Sequence, residues 1–205
     1  MKAKTHVAAG IAGTLALLPP VDGTEELFLS LGLAALGSLL PDLDEPNSVI
    51  SRRLLPLPVF LRPVAIFLMG VGALLLALTG GAPTGVGVLG GIWLMGAARY
   101  PHRTFTHSLV VGLPIVALMA LLVEPAWAYP LGSGYLTHVL GDVLHESGVP
   151  LFWPVKGKSR TPITLGHRWW GVEPLLQVAA ICFSMVLLVE RPEMPQWVAR
   201  FSGLI

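Results

Sequence analysis

Seven apolar segments, separated by short polar or proline-containing stretches, occupy most of the 205-residue chain. A helix needs roughly 20 apolar residues to cross a bilayer, with a range near 17–25. The third, fifth and seventh segments meet this length, whereas the other four are short and could be tilted, partly re-entrant or packed inside a bundle. The pattern predicts an all-α, polytopic transmembrane helix bundle with five to seven membrane helices. The segments run approximately over Thr5–Leu18, Glu26–Leu40, Val59–Leu78, Gly85–Ala98, Thr106–Val123, Tyr129–Leu144 and Val172–Val189.

Glycine recurs in the third and fourth segments. Small residues let membrane helices approach one another closely, so we expect tight helix–helix contacts there. The pattern indicates packing and nothing chemical. The glycines in question are Gly70, Gly72, Gly85, Gly87, Gly90, Gly91 and Gly96.

The composition excludes a soluble domain. The chain is 54% hydrophobic and only 12% charged, with a mean hydropathy of +0.72, whereas soluble domains carry about 25% charged residues. A net charge of +1 argues against a nucleic-acid partner. The single cysteine, Cys182, excludes an intrachain disulfide. Because no linker is long enough to separate domains, we expect one integral-membrane domain over residues 1–205.

The basic residues are distributed unevenly between the two sides that alternate crossing would create. If each segment crosses once, one side receives all 13 lysines and arginines except Arg191 and Arg200. Basic residues concentrate on the cytoplasmic side of membrane proteins. We therefore expect a multi-pass protein of the inner membrane with a cytoplasmic N-terminus, an external C-terminus, and a basic, tryptophan-rich cytoplasmic loop over residues 147–171.

The N-terminal segment follows Lys2 and Lys4, a combination that is also typical of a signal peptide. However, His6 lies at the start of the apolar run, and no cleavage site of the A-x-A type follows before Pro19 and Pro20. We therefore expect an uncleaved first membrane helix.

The sixth segment carries three polar residues, His138, Asp142 and His145, at intervals of four and three. On a helix these intervals place all three side chains on one face. Two ligands four residues apart are a common metal-binding arrangement, and an unpaired carboxylate inside a membrane is costly. The alternative is a structural histidine–aspartate hydrogen bond between helices.

Asp42 and Asp44 follow Pro41 at the end of the second segment. If the chain is extended there, both carboxylates project in similar directions and repel each other unless a cation neutralises them. The alternative is an ordinary acidic turn.

A third polar stretch, from Arg99 to Ser108, contains His102, Arg103 and His107. An interval of five does not place both histidines on one helix face, so we expect His102 in a turn and His107 in the first turn of the next helix. Arg103 is a candidate for holding a phosphate or a developing oxyanion. The alternatives are positive-inside anchoring for the arginine and a pH-sensing or structural role for the histidines.

The order and spacing of these motifs, over roughly residues 1–155, resemble the YdjM-like family of inner-membrane proteins, described as metal-dependent hydrolases. The motifs are Thr5-His6, Leu40 to Asp44, His102 to Ser108, and Gly134 to Asp142. The resemblance implies a polar centre formed by His6, Asp42, Asp44, His102, His107, His138 and Asp142. His145 stands where the family pattern would have a threonine, and it could add a ligand or a hydrogen bond.

Seven candidates exceed the four ligands of a closed tetrahedral site, so either two ions bind or some residues only support the ligands. Imidazole and carboxylate donors suit zinc first, with manganese or iron as alternatives. We expect the metal to support hydrolysis of a phosphoester or ester of a lipid or amphiphile at the cytoplasmic face. Asp142 or Asp44 would be the general base, and the phosphate would be held by Arg103, with Arg160 or Arg168.

Two other functions remain open from the sequence. A metal-ion or small-solute transporter would need polar residues along the whole path, yet the outer halves of the segments are almost wholly apolar. A non-enzymatic membrane protein with a structural metal would retain its metal and cleave no ester. The sequence does not indicate an oligomeric state.

Overall fold

The computed structural model describes residues 2–161 and 172–194. Each of the seven predicted segments contains a helix, which confirms the all-α class, and a further short helix lies in the loop after the second segment. Ser48 caps that short helix by accepting a hydrogen bond from the Ser51 N–H at 3.0 Å. The helices of the described residues are α1 Ala3–Leu17, α2 Thr24–Gly37, α3 Val49–Leu54, α4 Arg62–Leu78, α5 Thr84–Arg99, α6 Leu109–Leu122, α7 Pro125–Val143 and α8 Val172–Val189.

Two helical stretches of the described residues are long and apolar enough to cross a membrane by themselves. One is α8, and the other is Val59–Leu78, a 3-10 turn that continues into α4. The fifth predicted segment is shorter than expected, because Phe105–His107 forms a 3-10 turn and α6 begins only at Leu109. The number of five to seven membrane crossings therefore stays a prediction.

Helices α1, α2 and α7 form a closely packed unit, which we call the glycine-packed unit. A β-carbon on Gly134 of α7 would overlap the Ala34 carbonyl oxygen of α2, and one on Gly37 would overlap the Leu131 carbonyl oxygen. A β-carbon on Gly10 of α1 would likewise overlap the Ser38 hydroxyl. Glycine at these positions therefore lets the end of α2 lie directly against the middle of α7.

Helices α4 and α5 form a hairpin that also packs through glycine, as the sequence predicts. A β-carbon on Gly91 would lie 2.7 Å from the Gly70 carbonyl oxygen, and one on Gly70 would lie 2.8 Å from that of Gly91. Gly72 and Gly90, by contrast, have open space around them. The outer face of α4 exposes bulky apolar residues such as Leu68 and Leu75, as expected for a surface in contact with lipid.

Helix α8 lies along α1 and is attached to it at both ends. At one end, Glu173 accepts hydrogen bonds from the Lys2 N–H and the Thr5 hydroxyl. At the other, the Arg191 guanidinium donates to the carbonyl oxygens of Leu15 and Leu18, at 2.9 and 2.6 Å. These polar contacts fix the position of α8, although every side chain between them is at least partly exposed.

The loop after α7 is held against the bundle by backbone hydrogen bonds. Val149 pairs with Ser159 in an isolated antiparallel bridge, and the Leu109 N–H at the start of α6 donates to the Leu151 carbonyl at 2.8 Å. Of the predicted basic, tryptophan-rich loop, residues 162–171 lie outside the described part of the chain, including Arg168, Trp169 and Trp170.

Candidate metal centre

Four histidines and two aspartates meet where the start of α1 and the end of α7 approach the loops after α2 and α5. His6, His107, His138 and Asp142 are each at most 2% exposed. Buried ionisable groups are costly unless they are paired or bind a metal. The remaining members, Asp42 and His102, are partly exposed at the rim.

Three imidazoles direct the same ring atom at one carboxylate oxygen. Asp42 Oδ1 lies 3.5 Å from His138 Nε2, 3.8 Å from His107 Nε2 and 3.9 Å from His102 Nε2. The three histidines come from α7, from the turn before α6 and from the loop after α5, so this convergence depends on the tertiary fold.

His138 is oriented by a backbone carbonyl. Its Nδ1 lies 2.6 Å from the carbonyl oxygen of Ser38, just past the end of α2. Because a carbonyl oxygen only accepts, Nδ1 carries the proton and Nε2 presents a lone pair. The Ser38 carbonyl reaches this position because Gly37 and Gly134 let α2 and α7 pack closely.

His107 is oriented by the threonine that precedes it. The Thr106 hydroxyl donates to Asp44 Oδ2 at 2.9 Å and lies 3.0 Å from His107 Nδ1. Since its one proton is given to the carboxylate, the hydroxyl oxygen accepts from His107 Nδ1–H, and Nε2 again keeps its lone pair. The Tyr135 hydroxyl donates to the Thr106 carbonyl and steadies this turn.

His102 is oriented by Asp44, whose Oδ1 lies 2.7 Å from His102 Nδ1. Burial acts to lower the pKa of His102, but the hydrogen bond and charge of Asp44, with the charges of Asp42 and Glu45, raise the pKa above 6.5. Burial acts to raise the pKa of Asp42, yet the contact with His138 and the charges of the surrounding histidines lower it below 3.8.

The buried Nε2 atoms of His107 and His138 have no hydrogen-bond partner in the described structure. Both carry a lone pair and face carboxylate oxygens, so the arrangement is repulsive unless a cation or proton lies between them. Neutral imidazoles with carboxylates, each oriented through its other nitrogen, are the usual ligand set and outer shell of a divalent transition metal. The residues present therefore fit a metal ion.

Asp142 brings a second group of ligand atoms beside the first. Its Oδ1 lies 3.3 Å from His6 Nε2, and its Oδ2 lies 3.3 Å from His107 Nε2. The rings of His6 and His138 stack with centroids 3.8 Å apart. The potential ligand atoms thus form two adjacent sets, each within 4.8 Å: one of His6, His138 and Asp142, the other of Asp42, His102 and His107.

Arg103 lies at the edge of these sets in a left-handed backbone conformation, with φ of 60°. This conformation is uncommon for residues other than glycine and often marks a functional site. Its Nη2 lies 3.3 Å from Asp142 Oδ2, and its Nη1 donates to the Ser147 hydroxyl. The guanidinium therefore lies beside the candidate ligands and remains partly exposed.

Two local predictions are wrong. His145 does not share a helix face with His138 and Asp142, because α7 ends at Val143; its Nδ1 instead lies 3.0 Å from the Ser147 hydroxyl. The chain after Pro41 is not extended, because Leu40–Asp42 forms a 3-10 turn. Consequently Asp42 faces the Nε2 atoms, whereas Asp44 hydrogen-bonds the outer side of the histidine cluster.

The other predicted positions lie as follows. His102 occurs in a turn as expected, and His107 ends the 3-10 turn just before α6 rather than lying inside the helix. Arg160 is exposed and makes no hydrogen bond or ion pair with these histidines and aspartates in the part of the chain described. Arg168 lies outside the described residues.

Three further groups contribute to the site beside the predicted ligands. The Ser38 carbonyl left no sequence signal, since any residue has a carbonyl. Thr106 was visible as the neighbour of His107, and Glu45 as the third carboxylate after Pro41. Glu45 Oε2 lies 4.0 Å from His102 Nε2 and is partly exposed.

Comparison with known proteins identifies the family of this chain. A family model described as YdjM inner membrane protein matches residues 1–202. The chain is 27% identical over 203 residues to inner membrane protein YdjM of Escherichia coli K12, an alignment that covers 94% of this chain and 86% of that protein. The same figures hold for the protein of that name from Shigella flexneri. No solved structure gives a significant match.

Proposed function

The chain belongs to the YdjM family of inner membrane proteins, and on this premise we propose that it is a membrane-embedded, metal-dependent hydrolase. The observation that supports the proposal is the pair of buried Nε2 atoms on His107 and His138, which have no hydrogen-bond partner among the described residues and face Asp42 and Asp142. The family match supports a location in the inner membrane. The hydrolytic activity is our proposal.

The proposed ligands are the six side chains of the two adjacent sets. They could hold one ion, with the remaining side chains supporting its ligands, or two neighbouring ions. Imidazole and carboxylate donors favour zinc, with manganese or iron as alternatives. The ligands are His6, Asp42, His102, His107, His138 and Asp142.

A divalent ion held by these side chains would supply the chemistry that hydrolysis requires, because such ions lower the pKa of water and polarise an ester oxygen. The protein contributes orientation: Ser38, Thr106 and Asp44 each fix one imidazole through Nδ1. Arg103 supplies a partly exposed positive charge at the rim, where it can hold a phosphoester oxygen.

The proton acceptor is a carboxylate at the rim, and we assign this role to Glu45. Both oxygens of Asp44 already accept hydrogen bonds, one from His102 and one from Thr106. Asp142 is buried between His6, His107 and Arg103. Glu45 is close to the cluster and accessible to water, which are the conditions for receiving a proton from it.

The substrate class is a phosphoester of a lipid or other amphiphile, at the cytoplasmic face. The uneven distribution of lysine and arginine supports that orientation, which includes a cytoplasmic N-terminus and an external C-terminus. The multi-pass topology is part of the same proposal.

Hydrolysis and metal content, measured on the same samples, test the proposal. Purified protein is assayed with phospholipids and with generic phosphodiesters, and its metal is measured by elemental analysis. Glu45→Gln should retain the metal and lose most turnover, by about 10²-fold or more. Glu146→Gln, which changes an exposed carboxylate that the proposal does not use, should retain both. Metal without turnover on any substrate would indicate a structural metal and overturn the hydrolase.

A further inference from the structure

An apolar groove runs between α1, α7 and α8, with a volume of about 730 Å³. We call it the α1–α8 groove. Its walls are mainly small or aliphatic residues, among them Ala9, Leu140 and Ala180, and none of the described residues that line it is charged. A cavity of this size and composition suits an apolar ligand, since pockets for small molecules span about 300–1,000 Å³.

One end of the groove reaches the candidate metal centre. Thr5 and Gly141 line this end, and they are the chain neighbours of His6 and Asp142. Along α8 the groove extends from Leu176 to Phe183, about two helical turns. A single ligand could therefore place one end beside the metal ligands and the other among apolar side chains.

The groove also opens toward the surroundings of the protein. Three of its lining side chains, Leu140, Leu176 and Phe183, are exposed in the described part of the chain. In a membrane protein such a face contacts lipid. A hydrocarbon chain can therefore enter the groove sideways, without leaving an apolar medium.

A second cavity of about 630 Å³, between α1, α6 and α7, provides a comparison. It is equally apolar and shares Thr137 and Leu140 with the α1–α8 groove, but it extends from there toward Leu17 and Tyr129, at the ends of α1 and α7 that are remote from His6 and Asp142. Its lining includes neither Thr5 nor Gly141, so a chain bound along it would lead away from the metal ligands.

We propose that the α1–α8 groove binds one acyl chain of a membrane phospholipid and so places the lipid's phosphoester at the metal centre. The reason for placing the phosphoester at the metal centre rests on the proposed hydrolase function. The occupancy of the groove can nevertheless be measured without any turnover.

The experiment uses the full-length protein in vesicles of phosphatidylethanolamine and phosphatidylglycerol, doped with phosphatidylglycerol that carries a diazirine in one acyl chain. After illumination, labelled residues are identified by mass spectrometry. Labelling per residue should be higher in the groove than on the exposed face of α4, where Leu75 and Leu76 report ordinary contact with bilayer lipid. Ala180→Trp should reduce groove labelling by at least about fivefold, because the indole fills the space.

Two further variants make the result specific. Ala9→Phe fills the same groove from α1 and should reproduce the loss if Ala180→Trp does not fold. Ala120→Trp fills the second cavity and should leave groove labelling unchanged. The inference is overturned if groove labelling equals that of α4, or if it survives filling in a variant that keeps the wild-type metal content.

The same samples separate this inference from the hydrolase proposal. Specific labelling without hydrolysis would support the acyl-chain groove and contradict the hydrolase. Hydrolysis of phospholipids without specific labelling would support the hydrolase and contradict the groove. With both present, filling the groove should slow cleavage of long-chain lipid and leave cleavage of a water-soluble phosphodiester unchanged.

Discussion

Two parts of this molecule use glycine for close helix packing, and only one of them carries chemistry. In the α4–α5 hairpin, Gly70 and Gly91 bring two backbones together, and the surrounding side chains are apolar. In the glycine-packed unit, Gly37 and Gly134 bring α2 against α7 in the same way. There, however, the contact places the Ser38 carbonyl against the buried ring of His138.

The difference shows what close packing can accomplish when a polar side chain lies beside it. A glycine contact by itself lets two helices approach. When the approach presents a free carbonyl to an imidazole, it also fixes which nitrogen is protonated and where the other points. The hairpin therefore provides an internal control for every effect attributed to the metal centre.

The largest effect should come from the carboxylate on which three imidazoles converge. Asp42→Ala leaves three Nε2 atoms without their shared neighbour, so metal affinity should fall by more than about 100-fold. Affinity is measured by competition with a chromogenic chelator. Asp22→Ala, which removes an exposed aspartate between α1 and α2, should change nothing; an equal loss there would contradict a specific site.

Gly134→Ala and Gly91→Ala compare the two glycine contacts directly. Both add a β-carbon against a carbonyl oxygen, so both should lower the temperature of thermal unfolding. Only Gly134→Ala moves Ser38 away from His138, and it alone should weaken metal binding, by about 10–100-fold. Equal weakening of metal binding by Gly91→Ala would contradict the link between the α2–α7 contact and the orientation of His138.

Thr106→Val removes the hydroxyl that orients His107 and keeps the shape of the side chain. Metal affinity should fall by about 10-fold, the lower end of the range for residues that support ligands. Thr137→Val is the matched control, because Thr137 also precedes a ligand histidine but donates only to the Gly134 carbonyl. Similar losses in both would show that the hydroxyl of Thr106 has no special role.

The smallest effect should come from the Ser147 hydroxyl, which links Arg103 to His145. Ser147→Ala should reduce hydrolysis by no more than about fivefold, the value of one ordinary hydrogen bond. His145→Ala should likewise change metal affinity by no more than about fivefold. A loss as large as that of Asp42→Ala would make His145 a metal ligand, contrary to its position beyond α7.

The membrane character and the helices were predictable because they depend on local hydropathy. The grouping of His6, His102, His107, His138 and Asp142 was predictable because polar groups in such a chain have few other places to lie. The individual roles were not predictable. The separate functions of Asp42 and Asp44 depend on a 3-10 turn, and the tautomer of His138 depends on a carbonyl 100 residues away in the chain.

Elemental analysis of detergent-purified wild-type protein, with Asp42→Ala prepared alongside, shows directly whether the histidines and aspartates bind a metal. We expect a stoichiometric divalent transition metal in the wild type, one or two ions per chain, and its loss from the variant. Wild-type protein that holds no more metal than Asp42→Ala, even after incubation with zinc, manganese or iron, would contradict a metal centre at this position.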